Sequence, residues 1–143
     1  MLCKQVMKHN VECVSPEDPA QLAARKMRDE NVGFLPVCDG SRKVLGTLTD
    51  RDLATRLVAE NRPASTQVGD LMTPQVVSCR PTDDVSKAEQ LMGKYQKSRI
   101  MCLDAEGRLA GVISLSDIVQ RAADSEAAET MRQVTEREVR GGL

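Results

Sequence analysis

The sequence repeats itself. Shifted by 65 positions, Met7 falls on Met72, Val11 on Val76, Pro16 on Pro81, Asp18 on Asp83 and Ala23 on Ala88. Met27 then meets Met92, Asp39 meets Asp104, Gly46 meets Gly111, Asp52 meets Asp117 and Arg56 meets Arg121. These ten identities need no insertion, whereas chance would give about three at ordinary residue frequencies. Leu35/Ile100, Val44/Leu109, Leu48/Ile113, Thr49/Ser114 and Leu53/Ile118 are conservative pairs in the same register. Both halves are therefore expected to share one fold. A half of roughly sixty residues buries too little surface to stand alone, so the two halves are expected to share a core.

Each half reads as β-α-β-β-α. A short apolar run opens it, Val11 to Val14 and Val76 to Cys79. In the first half Asp18 suits a helix N-cap and Pro19 the first helical position, with Leu22, Ala23 and Met27 at helical spacing. In the second half Asp83 or Asp84 caps, and Val85, Ala88, Leu91 and Met92 form the buried stripe. Runs Phe34–Cys38 and Ile100–Leu103 are joined to Val44–Leu48 and Leu109–Ile113 by the turn signals Asp39-Gly40-Ser41 and Asp104-Ala105-Glu106-Gly107, which predicts hairpins. Helices follow, over 50–60 and from Leu115 onward. The expected organisation is a first repeat over 1–60, a polar linker over 61–68, a second repeat over 69–124 and a charged helical tail over 125–143. In the tail Ala128, Met131, Val134 and Glu138 share one helical side, and Gly141-Gly142 is expected to fray.

Composition removes several functions. The net charge is −1, from 20 basic and 21 acidic residues, without the basic excess of a nucleic-acid binder. Phe34 and Tyr95 are the only aromatic residues, too few for stacking on single strands. No apolar run reaches membrane-spanning length and no signal peptide opens the sequence, so the expected compartment is the cytoplasm. Five cysteines without a C-x-x-C suggest neither a secreted disulfide framework nor a zinc ribbon, and they are read as small buried apolar residues. A metal set of Cys3, His9 and Cys13 matches no common spacing, and no metal is expected. With one histidine, no nucleophile–base arrangement and no Walker loop, no catalytic role is expected.

The chemistry concentrates in two matched segments, Gly46-Thr47-Leu48-Thr49-Asp50-Arg51-Asp52 and Gly111-Val112-Ile113-Ser114-Leu115-Ser116-Asp117. Each ends a strand on a hydroxyl and starts a helix, whose free N–H groups and dipole attract anions. The hydroxyl can bond a phosphate or sugar oxygen, and an acceptor-only aspartate in the first turn can receive both hydroxyls of a ribose. The same Ser/Thr-x-x-Asp spacing also matches a capping box.

These segments, with Val6-Met7, Val32 to Val37, Leu71-Met72-Thr73-Pro74 and Ser98-Arg99-Ile100, resemble the CBS motif, and residues 1 to about 124 resemble a CBS pair, or Bateman module. The resemblance implies a mixed α/β (α+β) fold of two repeats related by a pseudo-twofold and packed through their sheets. It implies a regulatory module, no required cofactor, and an adenosine-containing ligand: AMP, ADP, ATP or S-adenosylmethionine. One cleft would use Ser114, Ser116 and Asp117 with Ser98 and Arg99, and Met7, Glu12 and Val32 as adenine walls. The second would use Thr49, Arg51 and Asp52 with Lys97, Met72 and Val77. There Phe34 replaces Arg99, so a planar guanidinium able to grip phosphate is missing. Met101 departs from the proline usual at its place in the family. The alternative is a ligand-free assembly module with vestigial clefts.

Two further expectations concern association. A strand–helix–strand connection makes the first two strands parallel neighbours, close enough for a disulfide between Cys13 and Cys38, although buried free thiols suit a reducing cytosol. Homodimerisation is expected through helix surfaces carrying Ala23, Met27, Ala88 and Met92, and an effector protein is an expected partner. Neither nucleic acid nor membrane is.

Overall fold

The computed structural model describes residues 1–121 and 125–140. The chain forms two compact units, Met1–Val11 with Val77–Leu143, and Glu12–Val76. The units do not follow the linear halves, because residues 1–11 pack with the second repeat. Their repeat mates, residues 66–76, pack with the first.

In the unit Glu12–Val76, α2 (Ala20–Glu30) precedes an antiparallel hairpin of β1 (Phe34–Cys38) and β2 (Val44–Thr49). In the other unit, α1 (Cys3–Val6) joins β3 (Ser78–Cys79), α4 (Val85–Tyr95), the hairpin β4 (Arg99–Leu103) and β5 (Leu109–Ser114), α5 (Leu115–Arg121) and α6 (Ser125–Arg140). Here β3 runs parallel to β4, giving the order β3-β4-β5. The hairpin turns are tightened by their aspartates. Asp39 Oδ1 accepts from Ser41 N and Lys43 N, and Asp104 Oδ1 from Glu106 N and Arg108 N. The Ser41 hydroxyl, which also donates to Asp39 Oδ1, then the Lys43 and Ser41 N–H groups hold the Asp39 carboxyl below the usual carboxylate range, and the Arg108 N–H bond foremost does so for Asp104.

Some sequence expectations need correction. The run Val11 to Val14 makes only one bridge, Val14 to Val37, rather than a strand. Asp18 is not the N-cap of α2; Pro19 is. Asp18 instead accepts from Ser15 N at 2.9 Å, as Asp83 accepts from Arg80 N at 2.8 Å, so this repeated aspartate closes the turn around Pro16 and Pro81. Asp84 caps α4 by accepting from Ser86 N. The helix after β2 is α3 (Asp50–Asp52), which passes into a π-helix over Leu53–Val58. The polar stretch 61–68 ends in a core residue, Val68, at the head of a 3-10 turn.

Each unit encloses its own core. Val14, Ala23, Met27, Leu35, Val37, Leu48, Val68 and Leu71 cluster in one, and Cys3, Val6, Cys79, Ala88, Met92, Ile100, Cys102, Ile113 and Ile118 in the other. Ala23, Met27, Ala88 and Met92 are thus buried within their units and are not available as a surface for a second copy. The tail helix α6 lies on α4, with Val134 in the core, Met131 41% exposed and Arg132 paired with Glu129. Gly93 on α4 faces the flexible end of the Gln133 side chain on α6. The side chains of Ala128 and Glu138, and Gly141-Gly142, lie outside the described residues.

A lead-in segment crosses each hairpin at its repeated glycine. Lys8 pairs with Val112 and Thr73 with Thr47. A Cβ on Gly111 would fall 2.6 Å from Lys8 O, and one on Gly46 would fall 2.5 Å from Thr73 O. Both obstacles are backbone, so a side chain forces the segment away. Gly111→Ala is expected to lower stability by about 1–3 kcal/mol through overpacking. The check is a lower urea midpoint at unchanged m value.

Candidate functional site

The end of each hairpin gathers the matched motif residues. In the unit holding β4 and β5, Arg99 stands directly opposite Ser114, and Leu115 N donates to Ser98 O at 2.8 Å. Ser114 Oγ accepts from Asp117 N at 3.2 Å and lies 3.0 Å from Ser116 Oγ. Met7 reaches the same hairpin, its Sδ packed against Gly111. Ser98, Arg99, Ser114, Ser116, Asp117 and Met7 therefore share one unit. Glu12 and Val32, expected as adenine walls, belong to the other, where Glu12 holds Lys26 at 3.0 Å. The second set divides likewise. Phe34 stands opposite Thr49, with Arg51, Asp52 and Met72 in the same unit, while Val77 and Lys97 lie in the other.

The two aspartates differ. Asp52 is 8% exposed and fully used. Its Oδ2 accepts from Thr49 N at 3.0 Å while Thr49 Oγ1 accepts from Asp52 N at 3.1 Å, a complete capping box, and Arg56 Nε lies 3.8 Å from Oδ1. At Asp117 only the Ser114 half of that box is made, and the buried Oδ2 has no hydrogen-bond partner among the described residues. Arg121, the mate of Arg56, donates to Gln5 O at 2.9 Å. The helix starts differ too. Asp50 places its own carboxylate there and accepts from Arg51 N, where the second repeat has Leu115. Arg99 is exposed, and its guanidinium holds no carboxylate among the described residues.

The thiols fall into two groups. Cys13 and Cys38 are free, and burial first, with Cys13 beside it, pushes Cys38 up to about 12. Of the sequence-based set Cys3, His9 and Cys13, Cys13 belongs to a different unit from the other two. Sequence reasoning missed a different triad, Cys3, Cys79 and Cys102, all buried, with ligand atoms within 4.8 Å of one another. Cys79 Sγ lies 3.6 Å from Cys3 Sγ and 3.5 Å from Cys102 Sγ. Hydrogen bonds from Cys102 and Cys79 lower Cys3 to about 4. The bonds of Cys102 to Cys3 and Cys79, with burial, push that thiol up. The repeat register could have revealed the triad, because its mates Val68, Val14 and Val37 share one core cluster. An open groove of about 370 Å³, lined in part by Cys79, Arg80, Asp83, Lys87 and Asp104, lies in the same unit.

The CBS domain model matches residues 3–59 and 68–124. The "CBS domain-containing protein YhcV" of Bacillus subtilis is 35% identical over 125 residues, covering 87% of this chain and 88% of that protein. The crystal structure of CBSX2 in complex with AMP matches with a TM-score of 0.74 at 25% identity, over 85% of this chain and 96% of that one. A putative signal-transduction protein with CBS domains from Burkholderia ambifaria gives 0.74 at 27% identity, over 87% and 96%. The chain belongs to the CBS domain family, as a tandem pair. No helix among the described residues is long and apolar enough to cross a membrane.

The unequal aspartates should behave differently when removed. Asp52→Ala is expected to cost about 1–2 kcal/mol through loss of the cap. Asp117→Ala should cost less than half as much, since it removes a buried, unpartnered acceptor. Denaturant midpoints of the two variants decide; equal losses would make both aspartates structural.

Proposed function

We propose that this protein is a regulatory, non-catalytic module that binds an adenosine-containing nucleotide through the Asp117 motif. The observation carrying the reading is the buried Oδ2 of Asp117, left without a partner where its repeat mate is satisfied. A desolvated acceptor of this kind is costly unless a donor arrives, and ribose hydroxyls are suitable donors. Ser114, Ser116 and Ser98 would bond sugar or phosphate oxygens, and exposed Arg99 would grip phosphate by its planar fork. Met7, packed against the same hairpin, would wall the adenine. The AMP bound by CBSX2 supports this ligand class; ADP, ATP and S-adenosylmethionine are the other candidates. The set of Phe34, Thr49, Arg51, Asp52 and Met72 would be the weaker or vestigial site, because Asp52 already serves its own helix. The setting would be cytoplasmic, with an effector protein reading the bound state.

Calorimetry tests the site. Asp117→Ala should weaken AMP by about ten- to a hundredfold, the loss of charge-assisted hydrogen bonds. Arg99→Ala should weaken AMP but not adenosine, since only AMP offers a phosphate. Unchanged AMP affinity in Asp117→Ala, or equal losses for both ligands in Arg99→Ala, would overturn these roles.

The reading includes a homodimer, now supported by other side chains. Leu22 and Val58 in one unit and Tyr95 and Met131 in the other are large apolar residues left exposed. Burying them on a second copy removes apolar area from water. Light scattering at micromolar concentration should give twice the 15.7 kDa of one chain; the monomer mass, with and without AMP, would defeat the dimer.

A further inference from the structure

We infer that Cys3, Cys79 and Cys102 form a three-sulfur site for a thiophilic monovalent metal ion, Cu⁺. The first support is convergence. Cys3 comes from α1, Cys79 from β3 and Cys102 from β4, yet their sulfurs lie within 4.8 Å of one another, two of the separations being 3.5 and 3.6 Å. Sulfurs bound to one ion at about 2.3 Å stand roughly 4 Å apart in a trigonal plane, so side-chain adjustments of tenths of an ångström suffice.

The second support comes from the other repeat. The same three positions there are Val68, Val14 and Val37, clustered and no more than 2% exposed. Packing in this fold is met by three valines, so it does not call for sulfur. All three places change to cysteine in one unit, at the three positions that meet.

The third support is donor chemistry. Among the described residues the cluster contains three soft sulfurs and no histidine or carboxylate ligand, a set that favours Cu⁺ and Zn²⁺ over hard cations. Zn²⁺ is almost always four-coordinate in structural sites. These sulfurs lie in the core cluster with Val6, Val85, Ala88 and Ile113, and the described residues supply three ligands and no fourth, so three-coordination selects Cu⁺. Each thiol that binds releases its proton to solvent, and no oxidant or reductant is consumed. The groove shared with Cys79 sets Arg80 and Lys87 against Asp83 and Asp104, so it adds no net charge of its own. That open groove is also the entry path to Cys79.

The test uses the full chain, reduced and without oxygen, competing for Cu⁺ with the chromophoric chelator bicinchoninate. One Cu⁺ per chain should be withdrawn. Cys3→Val, Cys79→Val and Cys102→Val each install the residue the other repeat uses, and each should lower affinity at least tenfold. The combination of Cys13→Ser with Cys38→Leu should leave it unchanged. X-ray absorption on the copper-loaded wild-type chain should show three sulfur neighbours and no nitrogen, independently of how any variant folds. Failure of the wild-type chain to compete, copper retained by the triple valine variant, copper lost with Cys13 and Cys38, a nitrogen neighbour, or Zn²⁺ held in preference to Cu⁺ would each overturn the site.

Discussion

The close passage of one backbone over another, at Gly46 and again at Gly111, organises each unit. The second hairpin strand can accept a lead-in segment only where no Cβ intervenes, and the segment then forms bridges that the two-stranded ribbon cannot supply alone. That crossing sets the turn before it. Val68 and Cys3, repeat mates, are each completely buried at the start of that turn. It also explains the conserved pair of arginines between repeats. Arg56 donates to Leu71 O and Met72 O, and Arg121 to Gln5 O, so each ties the helix after the hairpin to the same lead-in backbone.

On this common frame the two units diverge by few substitutions. Thr49 and Arg56 surround Asp52 with local partners, and Asp50 adds a second carboxylate at the same helix start. Leu115 in place of Asp50, and an Arg121 directed wholly to backbone, leave the corresponding carboxylate with capacity to spare. Arg99 in place of Phe34 adds an uncommitted cation to the open corner. On the proposed reading, a duplicated scaffold keeps one copy as structure and the other as a receptor without altering its strands. The motif side chains that differ lie at the hairpin ends, where substitution disturbs the core least.

The architecture was legible because hydrophobic runs, Asp-containing turns and the 65-residue register all pointed the same way. The hairpins fall where the turns Asp39–Ser41 and Asp104–Gly107 put them. The role of Asp18 was misread because an aspartate before a helix can serve the turn behind it as well as the helix ahead, and here the prolines at 16 and 81 fix a turn needing that acceptor. Membership of the lead-in segments was hidden, since periodicity shows which residues are buried but not against what. For the site, Ser114 and Asp117 were visible as a motif, yet their difference from Thr49 and Asp52 was not. It depends on whether a carboxylate turns back to its own cap, which no spacing records. The cysteine triad was encoded in the repeat alignment but invisible to motif spacing, because 3, 79 and 102 are distant in sequence.

The division of the chain into Glu12–Val76 and its flanks imposes an order on biosynthesis. The central unit is continuous, so every contact it needs is present once residue 76 has left the ribosome. The first eleven residues emerge earlier and have no home until far later: Met1 contacts Asp84 across 83 residues, and Arg121 closes on Gln5 across 116. Closing loops of that length costs entropy that only the completed second hairpin offsets. Residues 1–11, with apolar Leu2, Val6 and Met7, therefore reach their native partners only after the second hairpin has been made.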